Sequence, residues 1–366
     1  MSEQLVVKSH KGPYTVSFQE DALLHIREVV PARAHFIIDA KVAGLYRREL
    51  ADVLAQPSVL LVEALESNKS LERCPAYVEH LVAQGVRRGH VLVAIGGGII
   101  QDIVCFLAAT LLRGLDWHFY PTTLLAQADS CIGSKSSINV GSWKNIVGTF
   151  TPPARILVST RVLATLAERD IRSGIGEMLK VHMIDGPASF DRIAADYGEM
   201  LAKPEVMRRY ILRSLEIKRG IIEQDEFDRG IRNIMNLGHS FGHAIESATH
   251  FAIPHGIAVT IGIDMANYTA VRLRQMEQRH FDRMHPTLAR NYRGFEHTPI
   301  PQDAFLAAIA KDKKNTDAKL SLILPDAEAR PRKVECANDA MFHGICAEYL
   351  GEVRQQQTDR IDSKKP

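Results

Sequence analysis

The stretch that most constrains this chain runs from Val91 to Leu112. Val91 to Ile95 (VLVAI) is apolar throughout, the composition of a parallel strand covered on both faces. It passes directly into Gly96-Gly97-Gly98 and then into an apolar segment, Ile99 to Leu112, that predicts a helix. Glycines let a backbone approach an anion closely, and a helix start offers free N–H groups and the positive end of a dipole. The stretch therefore reads as a phosphate cradle in an α/β domain. It lacks the spacing of the G-x-G-x-x-G fingerprint, so a glycine-rich turn without a ligand stays open.

Other segments extend the same domain. Residues 1–30 predict a short strand pair and a helix, Ala34 to Asp39 a buried strand, and Val59 to Val62 another. Asp39, at a strand's C-terminal end, stands where open α/β sheets bind a nucleotide ribose, or caps the helix that follows. Trp117 to Tyr120 predicts a strand ending in Pro121-Thr122-Thr123, whose hydroxyls suit a nucleotide. Asp129, Lys135, Lys144 and Asn145 fall in a Ser- and Gly-rich segment expected to be a loop, either an anion site or a solvated surface. At 366 residues the chain exceeds what one core usually serves. The break at Thr151-Pro152-Pro153-Ala154 is taken as the boundary, giving an α/β domain over 1–152 and a mainly helical one over 153–366.

In the second domain NLGHSFGHAIE (Asn236 to Glu246) carries His239 and His243 four residues apart, stacked on one helix face with Asn236 on the same side. Pro254-His255-Gly256 adds a third imidazole from an expected turn. Three converging histidines suggest a divalent metal, zinc first; two satisfied helix histidines are the alternative. Glu177 and Lys180 make an i, i+3 pair on a predicted helix, Glu168 to Val181. The pair is either a surface ion pair or, given Ile175, Met178 and Leu179, a buried carboxylate that needs a partner. A long helix, Pro204 to Gln224, carries Lys218, and Arg232 precedes the histidine helix. A basic turn, Asp312-Lys313-Lys314-Asn315, precedes a strand at Leu320 to Leu324, and the tail from Gln355 is expected to fray.

The formal net charge is +2, which implies no nucleic-acid or membrane field. Five scattered cysteines without a Cys-x-x-Cys pair fit a reducing cytoplasm rather than a disulfide framework. Neither a signal-peptide run at the N-terminus nor a membrane-length apolar stretch is present.

From Asp39 to Leu324 the chain resembles the 3-dehydroquinate synthases and, more broadly, the sugar phosphate cyclases. The resemblance rests on GGGIIQD (Gly96 to Asp102), LLRG (Leu111 to Gly114), PTTLLAQADS (Pro121 to Ser130), KNIVGTF (Lys144 to Phe150), RSGIGEMLK (Arg172 to Lys180), NLGHSFGHAIE and HGIAV (His255 to Val259). It implies an α/β nucleotide-binding domain, a C-terminal mainly α-helical metal-binding domain, and an active site in the cleft they share. The metal ligands would be Glu177, His239 and His255, with zinc or cobalt bound, which moves His243 to the substrate. NAD would meet Gly97, Gly98 and Asp102 at its pyrophosphate and Asp39, Glu66 and Lys69 at its adenosine end. Thr122, Thr123, Thr165 and Leu166 would meet the rest, with Asp129 near nicotinamide or substrate and Lys144 beside the cofactor. Lys135, Asn145 and Lys180 would line the cleft, and Lys218, Arg232 and Asn236 would hold a carboxylate. Arg113 would reach the phosphate of a neighbouring subunit's substrate, implying a homodimer, and Lys313 or Lys314 would meet the phosphate.

The implied reaction converts 3-deoxy-D-arabino-heptulosonate 7-phosphate to 3-dehydroquinate, with NAD recycled on the enzyme. Three positions depart from the family pattern: Gln101 and Ser134 stand where glycine is usual, and Ile257 where glutamate is usual. The competing readings are a cyclase for sedoheptulose 7-phosphate, a metal-dependent polyol dehydrogenase, and a non-catalytic NAD-binding protein.

Overall fold

The computed structural model describes residues 3–141, 143–311 and 318–355. Lys313 and Lys314, with the rest of the expected basic turn, lie outside the described residues, as does the tail beyond Gln355. The described chain forms two compact units. One comprises the residues up to 167 together with 211–229, and the other comprises 168–210 and the residues from 230 onward.

The first unit is built on a seven-stranded sheet among the described residues. Its strands are β1 (Gln4–Val7), β2 (Tyr14–Phe18), β3 (Ala34–Asp39), β4 (Val59–Val62), β5 (Val91–Gly96), β6 (Asp116–Pro121) and, later in the chain, Arg155–Val158. The spatial order is β1, β2, Arg155–Val158, β6, β5, β3, β4, and only the β1–β2 pair is antiparallel. β5 lies between β3 and β6 with all six residues buried, which is why its sequence shows no polar alternation. The chain leaves β3 toward β4 on one side and returns to β5 on the other. The carboxyl ends of β3 and β5 thus flank a topological switch point, where open α/β sheets bind ligands.

Two expectations change here. The Ser- and Gly-rich segment is not a loop but an antiparallel hairpin, β7 (Lys135–Val140) with β8 (Trp143–Phe150). Ser136, Ser137 and Gly148 read as loop residues, although β8 itself is rich in the strand-favouring Trp, Ile, Val, Thr and Phe. Ser136 and Thr149 bond hydroxyl to hydroxyl at 3.0 Å, and a Cβ on Gly148 would overlap the Ser136 carbonyl oxygen. The second change concerns the division placed at 152/153. The strand that follows it, β9 (Arg155–Val158), pairs with both β2 and β6, so the first unit continues to Ala167. It also takes in 211–229, from the latter part of the long helix Pro204–Ile222.

The second unit is mainly helical, with one two-stranded sheet, β10 (Lys319–Pro325) and β11 (Pro331–Ala337), among its described residues. With the helix after β5, Gly98–Thr110, designated α1, the helices that matter here are α2 (Glu168–Asp185), α3 (His239–Ala248), α4 (His255–Arg272) and α5 (Gln278–Tyr292). His255 is thus the first residue of a helix rather than part of a turn, with Pro254 fixing the entry. Asn236 ends a separate 3-10 segment, Ile231–Asn236, and does not share a helix with His239. Gly238 stands before His239 with φ +76°, a left-handed conformation that ends the 3-10 segment and starts α3 in a new direction.

Backbones touch where helices cross. A Cβ on Gly176 of α2 would overlap the Gly256 carbonyl oxygen of α4, and one on Gly262 of α4 would overlap the Gly238 carbonyl oxygen. Only glycine permits such an approach.

Candidate metal centre and nucleotide crevice

Gly176, Gly238 and Gly256 each adjoin a residue of one cluster: Glu177, His239 and His255. His239 Nε2 lies 3.7 Å and His255 Nε2 3.4 Å from the same oxygen, Oε1 of the buried Glu177. The other ring nitrogens face acceptors, His239 Nδ1 the Leu237 carbonyl oxygen at 3.2 Å and His255 Nδ1 the Glu246 carboxylate at 3.2 Å. A carbonyl or carboxylate oxygen can only accept, so both rings carry their proton on Nδ1 and turn Nε2 toward Glu177.

The donor chemistry fits a divalent metal. Two imidazole nitrogens and a carboxylate are the set of an open catalytic zinc site. Neither Glu177 oxygen accepts a well-aligned hydrogen bond, although Lys180 Nζ stands 2.5 Å from Oε2. Lys180 already supplies a cation at Oε2, and Oε1, the oxygen both imidazoles face, is where a metal would bind. Burial works against the Glu177 charge, but Lys180, His239 and His255 hold its carboxyl well below the ordinary range. Burial, reinforced by Lys180, pushes His239 well below its usual value. Burial also opposes charge on His255, yet the Glu177 and Glu246 carboxylates push it up to about 10. The two carboxylates thus favour a positively charged His255 ring.

His243 is exposed, and its ring offers a nitrogen that lies, with one each from His239 and His255, within a mutual 4.8 Å. The three-histidine set suggested by spacing alone is therefore also assembled, and two donor sets share His239 and His255.

In the first unit, Asp39 and the glycine turn stand side by side at the switch point. A Cβ on Gly96 would lie 3.3 Å from the Asp39 Cβ. Asp39 also caps the next helix, accepting from Lys41 N at 2.9 Å, so both of its expected roles are compatible. The Gly97 Cβ position faces Thr123 at 2.9 Å, whereas that of Gly98 meets nothing within 4 Å. The space beside the first residue of α1 is therefore open for an anion. Thr122 is buried with its N–H bonded to the Gly96 carbonyl, and Thr123 Oγ1 accepts from Ala126 N at 3.2 Å. Thr165 is bonded to Tyr46, and Leu166 follows it.

Glu66, Lys69, Asp102 and Asn145 form one network. Lys69 Nζ reaches Asp102 at 3.1 Å, Asn145 Oδ1 at 3.0 Å and Glu66 at 3.3 Å. Asn145, assigned to substrate by resemblance, thus joins residues assigned to cofactor. Lys135 Nζ pairs with Asp228 at 2.8 Å, while Lys144 is exposed on β8. Arg113 is exposed with φ +69°. Lys218 is buried against Asp129, so its burial alone does not call for a second anion. In the second unit Arg232 is buried, and Asn236 donates to the Asn233 carbonyl oxygen at 3.1 Å.

Sequence reasoning passed over Asp228, Ser137, Asn139 and Glu246. Asn139 bonds Glu66 and the Asn145 backbone, and Ser137 bonds Asn145. Glu246 carried a usable signal: it lies seven residues after His239, on the same helix face. The three departures are each accommodated. Gln101 and Ser130 exchange hydrogen bonds, both 2.6 Å. Ser134, at φ +64°, donates to Glu226 at 2.5 Å. Ile257 is buried in the core of its unit.

A parallel sheet with a glycine turn at its switch point, joined to a helical unit carrying a histidine–carboxylate cluster, is the architecture of the sugar phosphate cyclases. Two solved structures share it. A 2-deoxy-scyllo-inosose synthase complexed with carbaglucose-6-phosphate, NAD+ and Co2+ aligns over 96% of this chain and 99% of its own, at 22% identity and a TM-score of 0.80. The 2-epi-5-epi-valiolone synthase of Streptomyces hygroscopicus subsp. jinggangensis 5008, with NAD+ and Zn2+ bound, aligns over 92% and 96%, at 27% identity and a TM-score of 0.78. The chain belongs to the 3-dehydroquinate synthase family. Residues 59–173 match the model of that family's N-terminal domain and 174–315 that of its C-terminal domain. The 3-dehydroquinate synthase of Paracoccus denitrificans (strain Pd 1222) is 34% identical over 329 residues, 87% of this chain and 90% of that protein. The chain is thus an enzyme of the 3-dehydroquinate synthase and sugar phosphate cyclase group. Among the described residues no helix is long and apolar enough to cross a membrane.

Proposed function

We propose that this enzyme converts 3-deoxy-D-arabino-heptulosonate 7-phosphate to 3-dehydroquinate and phosphate, as a metal- and NAD-dependent lyase. The observation that carries the reading is the convergence of His239 Nε2 and His255 Nε2 on Glu177. These three residues would hold the ion, zinc or its cobalt substitute, and His243, the more exposed imidazole, is left to substrate. The α1 N-terminus at Gly98 would receive the pyrophosphate of NAD, and Asp39 a ribose hydroxyl. Bound at Gly98 and Asp39, NAD would supply reversible hydride transfer at C5 of the substrate, and an ion held by Glu177, His239 and His255 would supply polarisation of the C5 oxygen. A ketone at C5 acidifies the C6 proton, phosphate leaves from C7 by β-elimination, and after reduction and ring opening an aldol step closes the carbocycle. Lys180, held at Glu177, keeps positive charge at the metal cluster, and His243 supplies a donor for the phosphate. Arg232 and Asn236 would hold the carboxylate. Arg113 is exposed, as a residue serving a neighbouring subunit must be, and a cytoplasmic homodimer in the shikimate pathway completes the reading.

One observation favours a second reading. Lys218 finds its counter-charge in Asp129, which removes one of two cations that argued for a carboxylate substrate. Sedoheptulose 7-phosphate, which has no carboxylate, is therefore the competing substrate. Incubation of the enzyme with NAD, a divalent metal and each sugar, following phosphate release, separates the two. Release from the heptulosonate phosphate alone is expected, and comparable turnover of sedoheptulose 7-phosphate would overturn the first reading.

A further inference from the structure

His255 is the only one of the two proposed imidazole ligands whose outward nitrogen faces a charge. His239 Nδ1 meets a neutral backbone carbonyl, whereas His255 Nδ1 meets the Glu246 carboxylate at 3.2 Å. His255 is the first residue of α4, so no preceding turn of its own helix packs against its ring. Its side chain is also the more accessible of the two, 37% exposed against 16% for His239. A ring with that freedom can turn away from Glu177 or carry its proton on the wrong nitrogen. Glu246 removes both alternatives. It projects from α3 in the register of His239, is itself largely shielded, and can only accept. With a proton held on Nδ1, Nε2 is the nitrogen turned toward Glu177, where an ion would replace its second proton.

We propose that Glu246 is a positioning residue of the metal centre: it fixes the tautomer and orientation of His255 and strengthens that ring as a ligand. The proposal rests on the reading of Glu177, His239 and His255 as the metal site. Outer carboxylates on ligand histidines commonly contribute about 10–100-fold in metal affinity. Their action is through the ring, so Glu246 need not touch the substrate.

The test is zinc affinity by competition with a chromophoric chelator, on the full chain, for the wild type, Glu246→Ala, Glu246→Gln and His243→Ala. Glu246→Ala is expected to bind zinc about 10–100-fold more weakly at unchanged stoichiometry, with an unchanged far-ultraviolet circular dichroism spectrum. Glu246→Gln, which keeps an acceptor oxygen but not the charge, should recover part of that loss, and His243→Ala should match the wild type. A general structural defect would not be rescued by glutamine in this graded way. Wild-type zinc affinity in both Glu246 variants would overturn the proposal while leaving the metal reading intact. A wild type that takes up no zinc would defeat the metal reading and the proposal with it. Should Glu246→Ala fail to fold, Glu246→Gln decides alone: an affinity equal to the wild type's rejects the role of the charge, and a reduced one supports it.

Discussion

Lys218 Nζ stands 2.5 Å from Asp129 Oδ1 and donates to the Asp129 backbone carbonyl oxygen at 2.6 Å, both side chains being buried. The pair joins the long helix to the turn after β6. Removing one member of a buried ion pair costs roughly 3–5 kcal/mol, mostly by stranding the other charge. Asp129→Ala is expected to lower the free energy of urea unfolding by about that amount, and Lys218→Met/Asp129→Leu to recover much of it. Additive losses in the double variant would mean that the two side chains are not coupled.

The two donor sets for the metal make opposite predictions. Glu177→Gln should abolish stoichiometric metal by elemental analysis, as His239→Ala should under either set, while His243→Ala keeps its metal and loses turnover. A His243→Ala protein without metal, beside a Glu177→Gln protein that retains it, would assign the ion to the three histidines instead.

At the glycine turn, Gly97 and Gly98 separate packing from binding. A side chain at Gly97 meets Thr123, so Gly97→Val should disturb the local fold. The Gly98 position is open within 4 Å, so Gly98→Val should keep the melting temperature near wild type while NAD binding, followed by calorimetry, collapses. Unchanged NAD affinity in Gly98→Val would remove the pyrophosphate from this helix end.

His285 on α5 is buried against Asp264 of α4 at 2.8 Å, and Tyr292 and Tyr349 also donate to that carboxylate. Burial opposes charge on His285, but Asp264 and, more weakly, Asp282 hold its value above the usual 6.5. The stabilisation from its charge is therefore fully present below about pH 6.5 and fades as pH rises through the raised value. The gap in melting temperature between wild type and His285→Gln should be widest in mild acid and narrow toward alkaline pH. A gap that widens with pH would show that the ring acts in its neutral form.

Gln101 and Ser130 exchange two hydrogen bonds that a glycine at 101 could not make. With each bond contributing about 0.5–1.5 kcal/mol net, Gln101→Ala should cost roughly 1–3 kcal/mol in urea unfolding. A loss within about 0.5 kcal/mol, as for an ordinary surface change, would show the exchange to be incidental.

How much of this was legible depends on whether a local pattern or a distant partner decided each element. β5, the glycine turn and α1 followed from continuous apolar character, and β3 and β4 from the same signal. The β7–β8 hairpin did not, because Ser136, Ser137 and Gly148 look like loop residues until a facing strand gives them partners. The end of the first unit was misplaced because Pro152-Pro153 marks a bend, and only the pairing of β9 with β2 and β6 shows that the sheet continues. Glu177, His239 and His255 were nominated by resemblance, and the fold gathers them, with His243 alongside. Asp228 gave no local cue, since its partner Lys135 is far away in sequence. Glu246 did give one, in its helical register with His239.

The glycine crossings also bear on how the cluster responds to motion. Gly176, Gly238 and Gly256 are contact points of α2, α3 and α4, and Glu177, His239 and His255 are their immediate chain neighbours. When packed helices rock, displacement is smallest at the point of contact and grows along each arm. The three candidate donors therefore sit beside these contacts, Glu177 within α2 and His239 and His255 at the first residues of α3 and α4. A larger residue at any of the three glycines would part the backbones beside the cluster itself and alter the spacing of its donors.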